Sequence, residues 1–112
     1  MLKELHSLHS LDAIEAFIND HALAFLYVSR ESCSVCHAVL PKLRELLEKF
    51  PDIRLGHIDA EDVAEVASRF LVFTVPIMML FVNGKEYVRE DRFVQLRQLE
   101  DRLTRVYQEY RS

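Results

Sequence analysis

Tryptophan is absent from this chain, and glycine, proline and cysteine are scarce, with two, three and two residues among 112. Two cysteines exclude a disulfide scaffold, which needs several bridges to replace a core. Positive charge is not in excess. The formal net charge is −4, whereas a nucleic-acid binder normally carries a basic stripe. No apolar run approaches the roughly 20 residues that cross a bilayer as a helix. The N-terminus, Met1-Leu2-Lys3-Glu4-Leu5-His6, lacks the basic-then-apolar pattern of a secretion signal. The expected compartment is therefore the reducing cytosol, where structural disulfides are rare. Repeats, low-complexity tracts and linkers are also missing. What is present is half hydrophobic and 29% charged, enough to bury a core, and the length predicts one domain over residues 1–112.

Because glycine and proline are few, each one marks a feature. Residues 2–8 read as a short edge strand. Ser10 is placed to cap a helix over 11–20, with Ile14, Phe17 and Ile18 on one face. A strand is expected over 23–29 and a helix from 34 or 35 to 50, with Leu40, Leu43, Leu46 and Leu47 at helical spacing. Pro41 lies inside that helix and removes one backbone donor. A second core strand covers 53–58, followed by Asp59 as a cap and a short helix over 63–70. Residues 77–82 are a continuous apolar strand. Asn83-Gly84 is a hairpin signal that returns the chain antiparallel from Lys85. The stretch 85–92 reads as a solvated edge strand, whose charges discourage edge-to-edge pairing. A last helix covers 96–110. The order β-α-β-α-β-α-β-β-α predicts an α/β fold with a mixed sheet and helices on both faces.

The two cysteines are Cys33 and Cys36, in the run Cys33-Ser34-Val35-Cys36. A strand precedes them and a helix follows. A C-x-x-C pair at such a junction is a redox signature.

The chain resembles the thioredoxin family over nearly its whole length. Cys33-x-x-Cys36 opens a helix, and Pro41 follows Cys36 by five residues, as the family's helix proline does. Ile58-Asp59 ends the middle strand as the family's I-D does. Phe73-Thr74-Val75-Pro76-Ile77-Met78-Met79-Leu80-Phe81-Val82-Asn83-Gly84 resembles the block V-x-x-x-P-T-hydrophobic-F-x-N-G. The resemblance implies a thioredoxin fold and makes Pro76 the cis-proline facing Cys33. It implies that Cys33 is the exposed nucleophile, favoured as thiolate by the helix start, and Cys36 the resolving thiol. Backbone groups of Val75 would pair with an extended substrate, beside Ser34, Val35 and Pro76. The expected substrates are disulfides in proteins or small molecules. The expected electron donor is a thioredoxin reductase or a low-molecular-weight thiol. No cofactor, metal, nucleic acid or membrane is expected, and the expected state is a monomer.

The departures narrow this expectation. The family's buried aspartate, six residues before the first cysteine, is Tyr27, and its basic partner on the middle strand is Leu55. A phenol, with a reference pKa near 10, is a poor base at neutral pH. The acceptor for the Cys36 proton is then water, Glu31 or His37. Ser32 and Ser29 stand where the family has tryptophans, and Ser34-Val35 stands where it has Gly-Pro. Arg92, beside Asp91, takes the place of a glycine in the substrate groove. Together these changes predict a specialised oxidoreductase with a narrow or altered substrate set.

Three competing readings remain. Cys33-Ser34-Val35-Cys36-His37 matches the C-x-x-C-H attachment motif of c-type haem, with His37 as axial ligand, but that requires export. His37 is otherwise a surface residue or a modulator of thiol reactivity near neutral pH. His6, His9, His21 and His57 show no metal-ligand spacing with the cysteines. Finally, fold alone does not give function, so an adaptor module of the same fold, binding through the closing helix, is the alternative.

Overall fold

The computed structural model describes residues 2–112, and Met1 lies outside the described residues. Nine elements follow in the predicted order. They are β1 (Leu5–Ser7), α1 (Leu11–Asp20), β2 (Leu23–Ser29), α2 (Ser34–Leu47), β3 (Arg54–Asp59), α3 (Val66–Phe70), β4 (Ile77–Val82), β5 (Lys85–Glu90) and α4 (Leu96–Arg111). The strands form one sheet in the order β1-β3-β2-β4-β5. β1, β3 and β2 run parallel, whereas β2-β4 and β4-β5 are antiparallel.

β2 lies at the centre, and all seven of its residues are buried. Its alternation divides the core. Ala24, Leu26 and Val28 pack with Ile14, Phe17, Val66 and Phe70, on the face carrying α1 and α3. Leu23, Phe25 and Tyr27 pack with Leu43, Leu47, Leu99 and Leu103, on the face carrying α2 and α4. This two-residue period places successive strand residues on opposite layers.

The local signals act as the chemistry requires. Ser10 Oγ accepts the Ala13 N–H at 3.0 Å and caps α1. Asn83 and Gly84 both take positive φ, 50° and 84°, as a tight hairpin turn demands. At Gly56 a β-carbon would sit 2.7 Å from Leu8 Cδ1 and 3.1 Å from Phe17 Cε2, so α1 approaches β3 closely only over glycine. α2 continues through Pro41, which has no N–H to give the preceding turn.

Some elements are shorter than expected, with β1 spanning only Leu5–Ser7, α2 ending at Leu47 and β5 at Glu90, and two further features differ. Asp59 does not cap α3. It ends β3, and its Oδ1 accepts the Glu61 N–H at 2.8 Å. Turns bridged by Val63 N–H to Asp59 O then carry the chain to α3, which starts three residues later than the pattern implied. The charged stretch after Gly84 is an edge strand, but one of its side chains is structural. Arg89 donates to Phe70 O at 2.6 Å and to Leu71 O at 3.3 Å, and Glu86 holds the guanidinium from the same strand. The carbonyls at the end of α3 are thereby satisfied from β5.

Leu71 ends α3 in the left-handed region, with φ 57° and ψ 49°, and is 67% exposed. The Val72 N–H returns to Ala67 O at 3.1 Å, which closes a Schellman turn. Glycine or asparagine is the usual residue there, because a β-carbon costs about 1–2 kcal/mol in this conformation. Leu71→Gly should therefore raise stability by about 0.5 kcal/mol after the added chain entropy is counted, and Leu71→Val should lower it by about 1 kcal/mol. Urea unfolding of the three proteins checks both signs.

Candidate active site

Four strand termini meet at one end of the sheet. The registers Ser29↔Asp59, Val28↔Ile77 and Met78↔Glu90 bring together the ends of β2, β3 and β5 and the start of β4. The segments that leave these ends carry Cys33, Pro76 and Arg92.

Cys33 is the N-cap of α2. Its backbone is extended, and its Sγ accepts the Cys36 N–H at 3.1 Å, where a serine or aspartate oxygen usually sits. The His37 N–H bonds to Cys33 O at 3.2 Å and starts the helix. Free N–H groups and the positive end of the helix dipole thus converge on this sulfur. Cys33 and Cys36 are joined as a disulfide, with Cα atoms 5.2 Å apart. Cys33 is half-buried, whereas Cys36 is 2% exposed. The difference gives the two sulfurs unequal access to a large partner.

Cys33 Sγ lies 4.0 Å from the Val75 carbonyl oxygen. The Val75–Pro76 peptide bond is cis. Both residues are buried, while Ser34 and Val35 beside the sulfur are exposed. Arg92 is exposed on the loop 91–95, at the same end of the sheet. Sequence reasoning passed over two aromatic residues in this region. Phe73, two residues before Val75, is 69% exposed, and Phe93, next to Arg92, is 81% exposed. Their type suggests core, and only their place in loops at this end distinguishes them.

Tyr27 is fully buried, and its hydroxyl donates to Cys36 O at 2.6 Å. Burial pushes its phenol up to about 12. At neutral pH it is therefore a hydrogen-bond donor that anchors the first turn of α2, and it takes no proton. Leu55, where a basic partner would be expected, is fully buried in the apolar core. His37 is exposed, and its Nε2 lies 2.6 Å from Glu31 O. A carbonyl only accepts, so this nitrogen carries the hydrogen.

His57 was not singled out by sequence, yet it lies on β3 directly opposite Tyr27 in register. Its Nε2 is 2.6 Å from Ser29 Oγ. Tyr27, Ser29, Cys36, His37, His57 and Asp59 line a cavity of about 50 Å³. Burial lowers the His57 pKa below its ordinary value, Asp59 opposes the shift, and His37 and His9 add to it. The available signal was alternation, since Leu55 and His57 share a strand face. Among the described residues, no three His, Cys, Asp or Glu side chains are grouped to hold a metal. Nor is any helix long and apolar enough to cross a membrane.

Comparison with known proteins agrees with this geometry. A family model described as Thioredoxin matches residues 8–105. The chain is 59% identical over 109 residues to the thioredoxin-like protein YdfQ of Bacillus subtilis (strain 168), covering 97% of each. Among solved structures, a thioredoxin from Trypanosoma brucei brucei superposes with a TM-score of 0.82 at 15% identity, over 96% of this chain and 95% of that one. A thioredoxin from Fasciola hepatica superposes with a TM-score of 0.79 at 22% identity, over 89% and 97%.

The buried phenol sets a pH dependence. Its folded pKa is raised, so its contribution to stability is complete below pH 10 and is lost as pH rises towards about 12. An absorbance titration should show a tyrosine ionising near pH 12 that Tyr27→Phe removes. The same substitution should cost about 1 kcal/mol in urea unfolding at pH 7, from the lost bond to Cys36 O.

Proposed function

The chain belongs to the thioredoxin family and, with its Cys33–Cys36 pair, is a disulfide oxidoreductase, and we propose that it reduces protein or small-molecule disulfides in the cytosol through Cys33 as nucleophile. The observation that carries this reading is the asymmetry of the pair. One sulfur caps a helix on a half-buried residue, and the other is buried one turn inside.

In the proposed cycle the Cys33 thiolate attacks one sulfur of a substrate disulfide. That S–S bond breaks, a mixed disulfide with Cys33 forms, and the other substrate sulfur leaves as a thiolate. Cys36 gives up its proton and attacks Cys33 Sγ. The second substrate sulfur leaves, the Cys33–Cys36 disulfide closes, and the substrate has gained two electrons. A thioredoxin reductase or a low-molecular-weight thiol would return two electrons to the pair. An extended substrate segment would lie along Val75 and Pro76, over Ser34 and Val35, with Arg92 flanking it. The exposed Phe73 and Phe93 add apolar area suited to a peptide partner. Arg92 narrows the choice towards segments with an acidic residue near the disulfide. The acting unit is one domain over residues 1–112, working as a monomer without a cofactor.

Reduction of insulin disulfides by dithiothreitol tests the proposal. Wild type should accelerate it, and Cys33→Ser should fall to the uncatalysed rate. Cys36→Ser should accumulate a mixed disulfide with substrate, visible by mass under non-reducing conditions. Catalysis that survives Cys33→Ser would refute the reading. No catalysis by any form would favour an adaptor of the same fold.

A further inference from the structure

The step that closes the Cys33–Cys36 disulfide requires Cys36 to lose a proton while it is 2% exposed. Burial disfavours a bare thiolate, so a neighbouring acceptor is needed. The candidates around the sulfur are few. Tyr27 is a protonated phenol already donating to Cys36 O. His37 and Glu31 are exposed, and His37 is turned to the Glu31 carbonyl. Asp59 has one carboxylate oxygen occupied by the Glu61 N–H.

We infer that His57 is the proton acceptor for Cys36, acting across the small cavity that the two residues share. This rests on the oxidoreductase reading above and names a residue for its second half. Three observations support it. His57 and Cys36 line the same cavity of about 50 Å³, which has room for a bridging water. Ser29, itself buried, fixes the imidazole through its contact with Nε2. In the tautomer that carries its hydrogen on Nε2 and donates it to Ser29 Oγ, Nδ1 keeps the lone pair that receives the proton. Asp59 lies on the same strand face and stabilises the imidazolium once it forms.

The step balances. The Cys36 proton moves to the His57 imidazole, directly or through one water. The Cys36 sulfur attacks Cys33 Sγ and expels the substrate sulfur as a thiolate, which takes a proton from solvent. The imidazolium then releases its proton to solvent. The groups facing His57 are Tyr27 from β2, His37 and Cys36 from α2, Asp59 from its own strand, His9 after β1, and Arg30 and Glu31 from the loop before α2. Burial keeps the imidazole neutral at pH 7, ready to accept.

The test uses the reduced protein and an aromatic nitrobenzoate disulfide whose thiolate product is coloured. The first coloured thiolate appears when Cys33 forms the mixed disulfide, and the second when Cys36 resolves it. In stopped flow at pH 7, His57→Gln should leave the first phase unchanged and slow the second by about 100-fold, the scale of general-base catalysis. The wild-type second phase should rise with pH through an inflection below 6.5, and His57→Gln should lose that inflection. Ser29→Ala keeps the imidazole and should retain the inflection with a moved midpoint, which decides the matter if His57→Gln does not fold. A second phase with the wild-type rate and pH profile in His57→Gln, or a wild-type midpoint in Ser29→Ala, would overturn the inference alone. A wild type with no first phase would overturn the oxidoreductase reading itself.

Discussion

The hydrogen bond from the Cys36 N–H to Cys33 Sγ is the interaction on which the active end depends. It makes a sulfur the cap of a helix, so the donors that α2 leaves unpaired are spent on a prospective thiolate. The same geometry sets Cys36 one turn inside, against the core that holds Val28, Val75 and Ile77. The sheet keeps this arrangement in place. β2, buried along its whole length, delivers the loop before Cys33, and β4 beside it begins at the residue after Pro76. Val75, two residues before β4, is thereby held opposite the sulfur by a segment anchored to a central strand.

The buried polar groups around Cys36 are assembled without a buried charge pair. Tyr27 fills a position facing the helix start with an uncharged hydrogen bond, and Leu55 adds apolar area to the core. That choice avoids the several kcal/mol that desolvating paired charges costs. It also leaves no carboxylate at position 27 to take a proton. His57, two residues beyond Leu55 on the same strand face, restores a titratable group within the cavity that Cys36 lines. A base of this kind works in a different pH range from a carboxylate, since its charge changes between the acidic and the neutral. The protein thus combines an ordinary dithiol with an altered relay.

Elements defined by local chemistry were legible in the sequence. Ser10 as a cap, the Asn83-Gly84 turn, the apolar runs of β2 and β4 and the leucine spacing of α2 all act within a few residues, and each appears where its signal lies. The sulfurs were legible for the same reason. Contacts between distant segments were not. Arg89 reads as a solvated edge charge until β5 is laid beside the end of α3, where it satisfies two carbonyls. His57 reads as an isolated histidine until β3 is paired with β2 and Tyr27 becomes its neighbour. Asp59 looked like a helix cap because its type fits one, but strand pairing with Ser29 claims its backbone first. Leu71 violates the usual preference for glycine in the left-handed region, so no residue-level signal marks that turn.

The central claim is that the helix start makes Cys33 the reactive sulfur and leaves Cys36 shielded. The most direct measurement is the rate of alkylation of each cysteine in the reduced protein as a function of pH, read by mass spectrometry. The account predicts that Cys33 reacts with an apparent pKa below the value of about 8.5 for a free thiol, while Cys36 stays unmodified in the folded state. Equal alkylation of both cysteines, or a Cys33 that titrates at or above the free-thiol value, would contradict it.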